Sequence, residues 1–151
     1  MTLVECIKDN LDKVRLMQLA TVADNKPWVC TVHYYSDDHL NIYWMSHPER
    51  RHSLEVAKNK NVSATIMVHE DSPSENYVIG VSVEGTAEPI SIKEYESVAR
   101  KYVSKLGKDA NSIDEIISGK KPSQFYCLKP SKIVLFDNKN FPDDPRQELE
   151  L

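Results

Sequence analysis

Three stretches rich in β-forming residues follow one another near the start of the chain, with only short polar turns between them. Residues 17–23 and 27–36 flank the turn DNK at 24–26, and residues 39–45 (HLNIYWM) follow a second polar turn at 36–38. Strands that follow one another without helices between them pair most simply as an antiparallel meander. A doubly wound parallel sheet, which needs a helix after each strand, is therefore not expected.

The rest of the chain adds strands and helices in smaller number. Helices are expected at residues 3–16, 49–58, 91–106 and 111–118, and further strands at 61–69, 77–88 and 124–137. Ser91 and Glu94 have the spacing of a capping box, residues 70–76 are expected to form a polar loop, and the tail 139–151 lacks periodicity and is expected to be loop. The predicted fold is mainly β, an antiparallel barrel of six or seven strands with flanking helices, in one domain spanning residues 1–151.

Composition narrows the function classes. The net charge of −4 does not favour binding to nucleic acid or to an anionic membrane, and no apolar run approaches the ~20 residues that span a bilayer. The N-terminal residues show no signal-peptide core, so a cytoplasmic protein is expected. Three cysteines without CxxC spacing argue against a disulfide framework or a zinc site, and no metal is expected.

A basic cluster at the start of the helix predicted for residues 49–58 stands out against this acidic background. Arg50, Arg51 and His52 lie in its first turn, where the helix dipole already places partial positive charge. Cations are unfavourable there unless an anion joins them, and Arg and His are good donors to a phosphate. Ser46, at the end of the preceding strand, could add a hydroxyl, so one hypothesis is a phosphate site.

Two alternatives remain open from the residues alone. The basic turn could be solvated surface, with Arg50 or Arg51 paired to Glu49 or Glu55. Aromatic residues nearby could belong to the core or an interface, or could flank a planar ligand. These aromatic residues are Trp28, Tyr34, Tyr35, Tyr43 and Trp44.

The order of these motifs resembles a known family. An ATV-turn-Pro hairpin at 20–27 is followed by Met45-Ser46-His47 in place of a Tyr-Thr-Asn-like triplet, by Arg50-Arg51-His52 in place of Ser-Arg-Lys, and by Asn59-Lys60-Asn61-Val62 in place of Asn-Pro-x-Val. The later stretch FYCLKPSKIVLFDN fits the same pattern. The chain resembles the pyridoxamine 5′-phosphate oxidase-like, FMN-binding split-barrel superfamily, and within it an uncharacterised branch rather than the vitamin-B6 enzyme itself.

The resemblance implies a homodimer with FMN in the groove between two chains. By this implication Arg51 and His52 hold the flavin phosphate, assisted by Ser46 and Arg50, with Met45 beside them. The family lays the edge of the flavin ring against the backbone of the second strand. The corresponding residues here are Cys30, Thr31, Val32 and His33.

Two residues depart from the family pattern. His52 stands where the family has Lys, which predicts that phosphate affinity falls as pH rises. Cys30 stands where the family has Arg, which removes a cation near the ring. The second half also lacks the Trp and Arg-x-His-like signature of the vitamin-B6 oxidase, so that reaction is not expected.

The expected function is therefore an FMN-binding flavoprotein, an oxidoreductase acting on an unidentified small molecule, whose catalytic residues the sequence does not identify. The alternatives are a protein of the same fold that binds haem or a deazaflavin, or that holds FMN without turnover, and a ligand-free interaction domain. His33 or His69 would be the axial ligand of a haem.

Overall fold

The computed structural model describes residues 1–69 and 72–151. The helices are α1 (Leu3–Lys13), α2 (Arg51–Lys58), α3 (Glu96–Lys105) and α4 (Asn111–Ile117). The strands are β1 (Leu16–Ala23), β2 (Lys26–His33), β3 (Tyr35–Ser36), β4 (Ile42–Ser46), β5 (Asn61–Met67), β6 (Ile79–Ile90), β7 (Gln124–Asp137) and β8 (Arg146–Glu150). Residues 70 and 71 of the polar loop predicted at 70–76 lie outside the described residues.

The described residues form eight strands in one curled antiparallel sheet, with the order β2-β1-β5-β6-β7-β4-β3 and with β8 paired to β7. β2 lies at one end of this order, and β4 and the short β3 lie at the other. In the described part of the chain β2 and β4 approach each other without pairing, and we call this gap the seam. The mainly β, antiparallel split barrel with flanking helices that the sequence predicts is confirmed.

The β1–β2 hairpin forms because its turn residues tolerate left-handed backbone. Asp24 and Asn25 have φ values of 52° and 62°, as expected for a two-residue hairpin turn, and they place Ala23 opposite Lys26. Along β1 buried residues alternate with partly exposed ones. The hairpin therefore covers the barrel interior with one face and leaves the other face in contact with solvent.

Two hydrophobic cores lie on opposite faces of β4 and of the first half of β7. Inside the barrel Trp44 stacks on Tyr126 at 5.4 Å between ring centroids, in a core that also contains Leu11 of α1. On the other face Tyr43 stacks on Phe125 at 5.6 Å beneath α3 and α4. β4 and this half of β7 are thus covered on both faces, which explains their continuous apolar runs.

The close approach of β6 to β7 requires a glycine. The pairing register shifts between Glu84 and Gly85, and a Cβ added at Gly85 would lie 2.2 Å from the carbonyl oxygen of Lys129. A register shift and a close approach of the two backbones therefore coincide at this glycine. Gly80 has more space, since a Cβ there would lie 3.6 Å from its nearest neighbour, the carbonyl oxygen of Ile66.

Several predicted boundaries were wrong. The tail 139–151 is not all loop, because Arg146–Glu150 pairs with the end of β7 and supplies the eighth strand. The first helix ends at Lys13 rather than at residue 16, because Val14 has extended backbone and the chain enters β1. Ser91 does accept a hydrogen bond from the Glu94 N–H, at 3.3 Å, but it caps a turn and α3 begins only at Glu96.

In the described residues no helix is long and apolar enough to cross a membrane.

Candidate anion-binding site

The turn between β4 and α2 carries the basic cluster. Arg50 is the N-cap of α2, with φ −69° and ψ 151°, and its side chain makes no capping hydrogen bond. His47 instead caps the preceding turn, where its Nδ1 accepts a hydrogen bond from the Glu49 N–H at 3.2 Å. The first N–H groups of α2 thus have no side-chain cap from Arg50, and they lie beside the two cationic residues Arg50 and Arg51.

Arg51 is held on two sides. Its Nε donates to Glu55 Oε2 at 2.7 Å, and its guanidinium carbon lies 4.2 Å from the centroid of the Trp28 ring. The other oxygen of Glu55 accepts a hydrogen bond from the Thr21 hydroxyl at 2.8 Å. The Arg51 bond and then the Thr21 bond hold the pKa of Glu55 below its ordinary value, so this carboxylate stays charged.

The ion pair to Glu55, expected as an alternative to anion binding, is therefore present, but it uses only one nitrogen of Arg51. Within the described residues the two terminal nitrogens, Nη1 and Nη2, make no hydrogen bond. The side chain of Arg51 remains 46% exposed and lines an open groove of about 530 Å³ between α2 and the β1–β2 turn. The ion pair and a bound anion are thus compatible.

His52 and Ser46 lie together at the end of β4. A ring nitrogen of His52, Nε2, lies 2.7 Å from Ser46 Oγ, and the imidazole is half-buried. Burial, and then the positive charge of Arg50, lower the pKa of His52 below its ordinary value of 6.5. The imidazole is therefore neutral near pH 7 in the free protein, and an anion beside it would raise its affinity for a proton.

The four predicted residues of β2 do not share one face. Cys30 and Val32 pack against the barrel core, whereas Thr31 and His33 lie on the opposite face, because side chains of a strand alternate. Burial, and then the nearby Glu55 carboxylate, raise the pKa of the Cys30 thiol, so the thiol stays protonated near neutral pH. What these four residues share is their backbone on an edge strand.

The structure brings Ser46 and His52 together, with the charge of Arg50 nearby. Arg51 contacts Glu55 and Trp28 instead and lines the groove beside the β1–β2 turn. Met45 differs, because its side chain packs against the second core under α3, on the face of β4 opposite to Ser46. Sequence reasoning missed the roles of Thr21 and Trp28, which are cross-strand partners in the hairpin. Of the three residues that hold Arg51 in place directly or indirectly, Glu55 alone can be recognised from the local sequence, because it follows Arg51 by four residues along a helix.

A protein-family model matches most of the chain. The model described as pyridoxamine 5′-phosphate oxidase matches residues 3–136. The chain belongs to the pyridoxamine 5′-phosphate oxidase family. No curated protein sequence matches this family member significantly.

Solved structures share the fold at low sequence identity. General Stress Protein 26 from Bacillus anthracis is 18% identical, with a TM-score of 0.70 and coverage of 100% of both chains. A FAD-binding protein from Mesorhizobium loti is 22% identical, with a TM-score of 0.63 over 88% of this chain and 90% of that one. A heme binding protein from Mycobacterium smegmatis is 12% identical, with a TM-score of 0.77 over 99% of this chain and 58% of that one. Proteins that share this fold thus include ones named for different cofactors.

Proposed function

We propose that this chain is a cytoplasmic, homodimeric FMN-binding protein that carries out oxidation and reduction of a small molecule. The observation that carries the proposal is the pair of donor groups at the start of α2. Arg51 is tethered through Nε with both terminal nitrogens available, and His52 lies against Ser46 at 2.7 Å. Its family membership supports the same ligand class.

The donor set fits a phosphate monoester. The terminal nitrogens of Arg51 can grip two phosphate oxygens, while His52, Ser46 and the first N–H groups of α2 can donate to the others. Glu55 does not compete with the phosphate for the terminal nitrogens of Arg51, because one of its oxygens accepts a hydrogen bond from Arg51 Nε and the other from the Thr21 hydroxyl. A proton taken up by His52 would add a second positive charge as the phosphate binds.

The flavin ring would lie along the seam. β2 is an edge strand in the described sheet, so every second residue directs its backbone N–H and C=O groups away from β1. These groups of residues 30–33 can hydrogen-bond the polar edge of the ring, independently of which face each side chain occupies. FMN would supply the redox chemistry, and the chain would bind, orient and shield it.

The dimer would form through the outer face of the sheet, which we call the open face. Its centre carries small or short side chains, and large apolar side chains are exposed around them. The open face includes Leu16, Gln18, Ala20, Val29, Thr31, Ser63, Thr65, Met67, Ser82, Val134 and Phe136, and the charged residues Glu84, Lys132 and Arg146 border it. Val29 and Met67 are 57% and 59% exposed, which favours burial against a second copy.

The first experiment is the visible spectrum of the purified protein, followed by titration with FMN and with riboflavin, which lacks the phosphate. We expect a flavin spectrum and tighter binding of FMN. Arg51→Ala should weaken FMN binding by about 1.5–3 kcal/mol, the scale of a hydrogen bond to a charged group, and leave riboflavin unaffected. Arg100→Ala, which removes a helical arginine paired to Glu96, is the matched control. Unchanged FMN affinity in Arg51→Ala would place the phosphate elsewhere.

Haem is the second candidate ligand, favoured by the heme binding protein among the structural neighbours. His33 lies at the end of β2, where burial, and then the nearby charges of Lys108 and Arg15, lower its pKa below the ordinary value, so its ring would be a neutral ligand near pH 7. His69 is less suitable, because its Nε2 lies 2.9 Å from Glu75 Oε2. A Soret band that is lost in His33→Ala would favour haem over FMN.

A further inference from the structure

We propose that Trp28 and Glu55 are positioning residues that fix Arg51 for phosphate recognition, and this inference rests on the proposed FMN function. The chain of contacts runs from the Thr21 hydroxyl to Glu55, from Glu55 to Arg51 Nε, and from the Arg51 guanidinium to the Trp28 ring. Two of the four residues come from the β1–β2 hairpin and two from α2. The hairpin and the helix therefore meet at this arginine.

Both partners restrict Arg51 in a way that leaves its binding nitrogens accessible. A stacked ring fixes the plane of the guanidinium, and a carboxylate on Nε fixes its rotation within that plane. What remains free is the end of the guanidinium that carries Nη1 and Nη2, which is the end that grips two oxygens of a phosphate. An arginine fixed before binding loses less conformational entropy when the ligand arrives.

Glu55 itself is fixed. It is only 8% exposed, and each of its oxygens accepts one hydrogen bond. Thr21, which holds Glu55, lies directly opposite Trp28 in the β1–β2 register, so the ring that stacks on Arg51 and the hydroxyl that anchors Glu55 come from paired residues of one hairpin. The geometry is thus set by strand pairing rather than by flexible surface side chains.

Positioning and simple electrostatics predict opposite effects at Glu55. If the carboxylate acted only as a negative charge near the phosphate, both Glu55→Gln and Glu55→Ala would tighten FMN binding. If it positions Arg51, Glu55→Ala must weaken binding, because nothing then holds Nε. Glu55→Gln should keep affinity at or above the wild-type level, because the amide oxygen can still accept from Arg51 and the amide nitrogen can donate to Thr21.

The measured quantity is the ratio of FMN to riboflavin affinity, since riboflavin carries the same ring without the phosphate. We expect Glu55→Ala to lower this ratio by about tenfold, the effect of losing a hydrogen bond to a charged group. Trp28→Ala should lower it by about two- to fivefold, the scale of an exposed cation–π contact, and Trp28→Phe should restore it in part. Glu96→Gln, which removes the carboxylate charge of the comparable Arg100 pair on α3, should leave the ratio unchanged.

Fluorescence gives a second readout that does not depend on FMN. The chain has two tryptophans, and Trp44 is fully buried, so a soluble quencher reaches Trp28 selectively. Glu55→Ala and Arg51→Ala should both increase quenching of Trp28, because the guanidinium no longer covers the ring. Trp28 is 40% exposed on an edge strand, so its variants test the inference even if Glu55→Ala fails to fold.

The outcomes separate the two proposals. If the wild-type protein binds FMN no better than riboflavin, the phosphate site and this inference both fail. If the wild type discriminates and the ratio survives in both Trp28→Ala and Glu55→Ala, the proposed function stands and the positioning role is overturned. If the ratio rises in Glu55→Ala, the main effect of Glu55 is repulsion between its charge and the phosphate, and the positioning role is overturned.

Discussion

β4 and the first half of β7 lie between two hydrophobic cores, whereas β1 and β2 cover the barrel with one face and leave the other open. Trp44 and Tyr126 stack inside the barrel, and Tyr43 and Phe125 stack on the opposite face beneath α3. On β1 the fully buried Leu19 alternates with partly exposed residues such as Ala20. One part of the sheet is therefore enclosed, and the other has a surface available for contacts.

The candidate site lies where these two parts meet. Ser46 ends the enclosed strand β4, whereas Trp28 belongs to the edge strand β2, and α2 joins them through Arg51 and His52. The enclosed part provides a rigid anchor for the turn, and the edge strand provides unpaired backbone groups. We therefore expect stability to reside mainly in the enclosed part, and the proposed FMN and dimer contacts to lie mainly in the open part.

The largest expected effect is on stability in the enclosed part. Trp44→Ala should reduce the free energy of unfolding by about 3–5 kcal/mol, because it removes a fully buried ring and leaves a cavity. Val29→Ala on the open face should change it by less than about 0.5 kcal/mol in the monomer. Urea denaturation of both variants measures the difference. Similar values for the two would contradict the division between the enclosed and open parts.

The next effect concerns the β6–β7 pair, which joins the two parts. Gly85→Ala should destabilise the protein by about 1–3 kcal/mol, because the added Cβ would press on the backbone carbonyl of Lys129. Gly80→Ala is the matched control, since it places a methyl group at ordinary contact distance on the same strand. Thermal unfolding of the two variants gives the comparison. A Gly85→Ala protein as stable as Gly80→Ala would mean that the strands separate at little cost.

The same contrast explains what the sequence predicted. Strand pairing in the first hairpin is encoded locally, because Asp24 and Asn25 favour the turn and the flanking residues alternate. β8 was missed because RQELE is mostly charged and forms a strand only by pairing with β7. The first helix was predicted too long because Val14 and Leu16 continue its apolar period although the chain there turns into β1.

In the candidate site, too, the residues that are close in sequence could be predicted and those brought together by the fold could not. Ser46, Arg51 and His52 lie within seven consecutive residues, so one motif contains them. Thr21 and Trp28 reach Arg51 only through the hairpin register and the packing of α2 on β1, and neither is visible in a local pattern. The alternation of Cys30, Thr31, Val32 and His33 between two faces follows from strand geometry, but which pair faces inward depends on the register of the whole sheet.

The proposed role of the open face in dimer formation can be tested by measuring the oligomeric state. Thr65→Arg places a long cation at its centre, beside Gln18 and Ser82, and should raise the dimer dissociation constant by at least about tenfold through an unpaired buried charge. Because Thr65 is exposed in the monomer, folding should be little affected. Light scattering coupled to gel filtration measures the mass, and Ser104→Arg on α3 is the control. A dimer that tolerates Thr65→Arg must use another surface.

The smallest effect is the pH dependence of FMN affinity, and its sign follows from His52. Burial and Arg50 lower the pKa of His52 in the free protein, while a bound phosphate would raise it, so the complex holds more protons than the free protein. Linkage then requires affinity to fall as pH rises, by about three- to tenfold between about pH 6.5 and 8.5. This range lies above the second ionisation of a phosphate monoester, near pH ~6, so the ligand charge is nearly constant.

His52→Lys isolates the cause of that pH dependence. Lysine stays charged to about pH 10, so FMN affinity in this variant should vary little between about pH 6.5 and 8.5. Riboflavin should show no such dependence in either protein, because it has no phosphate to attract the proton. Isothermal titration in buffers of different ionisation enthalpy would count the proton taken up with FMN. Equal slopes in the wild type and His52→Lys would mean that the imidazole does not contact the phosphate, and that Arg51 holds it from the edge-strand side alone.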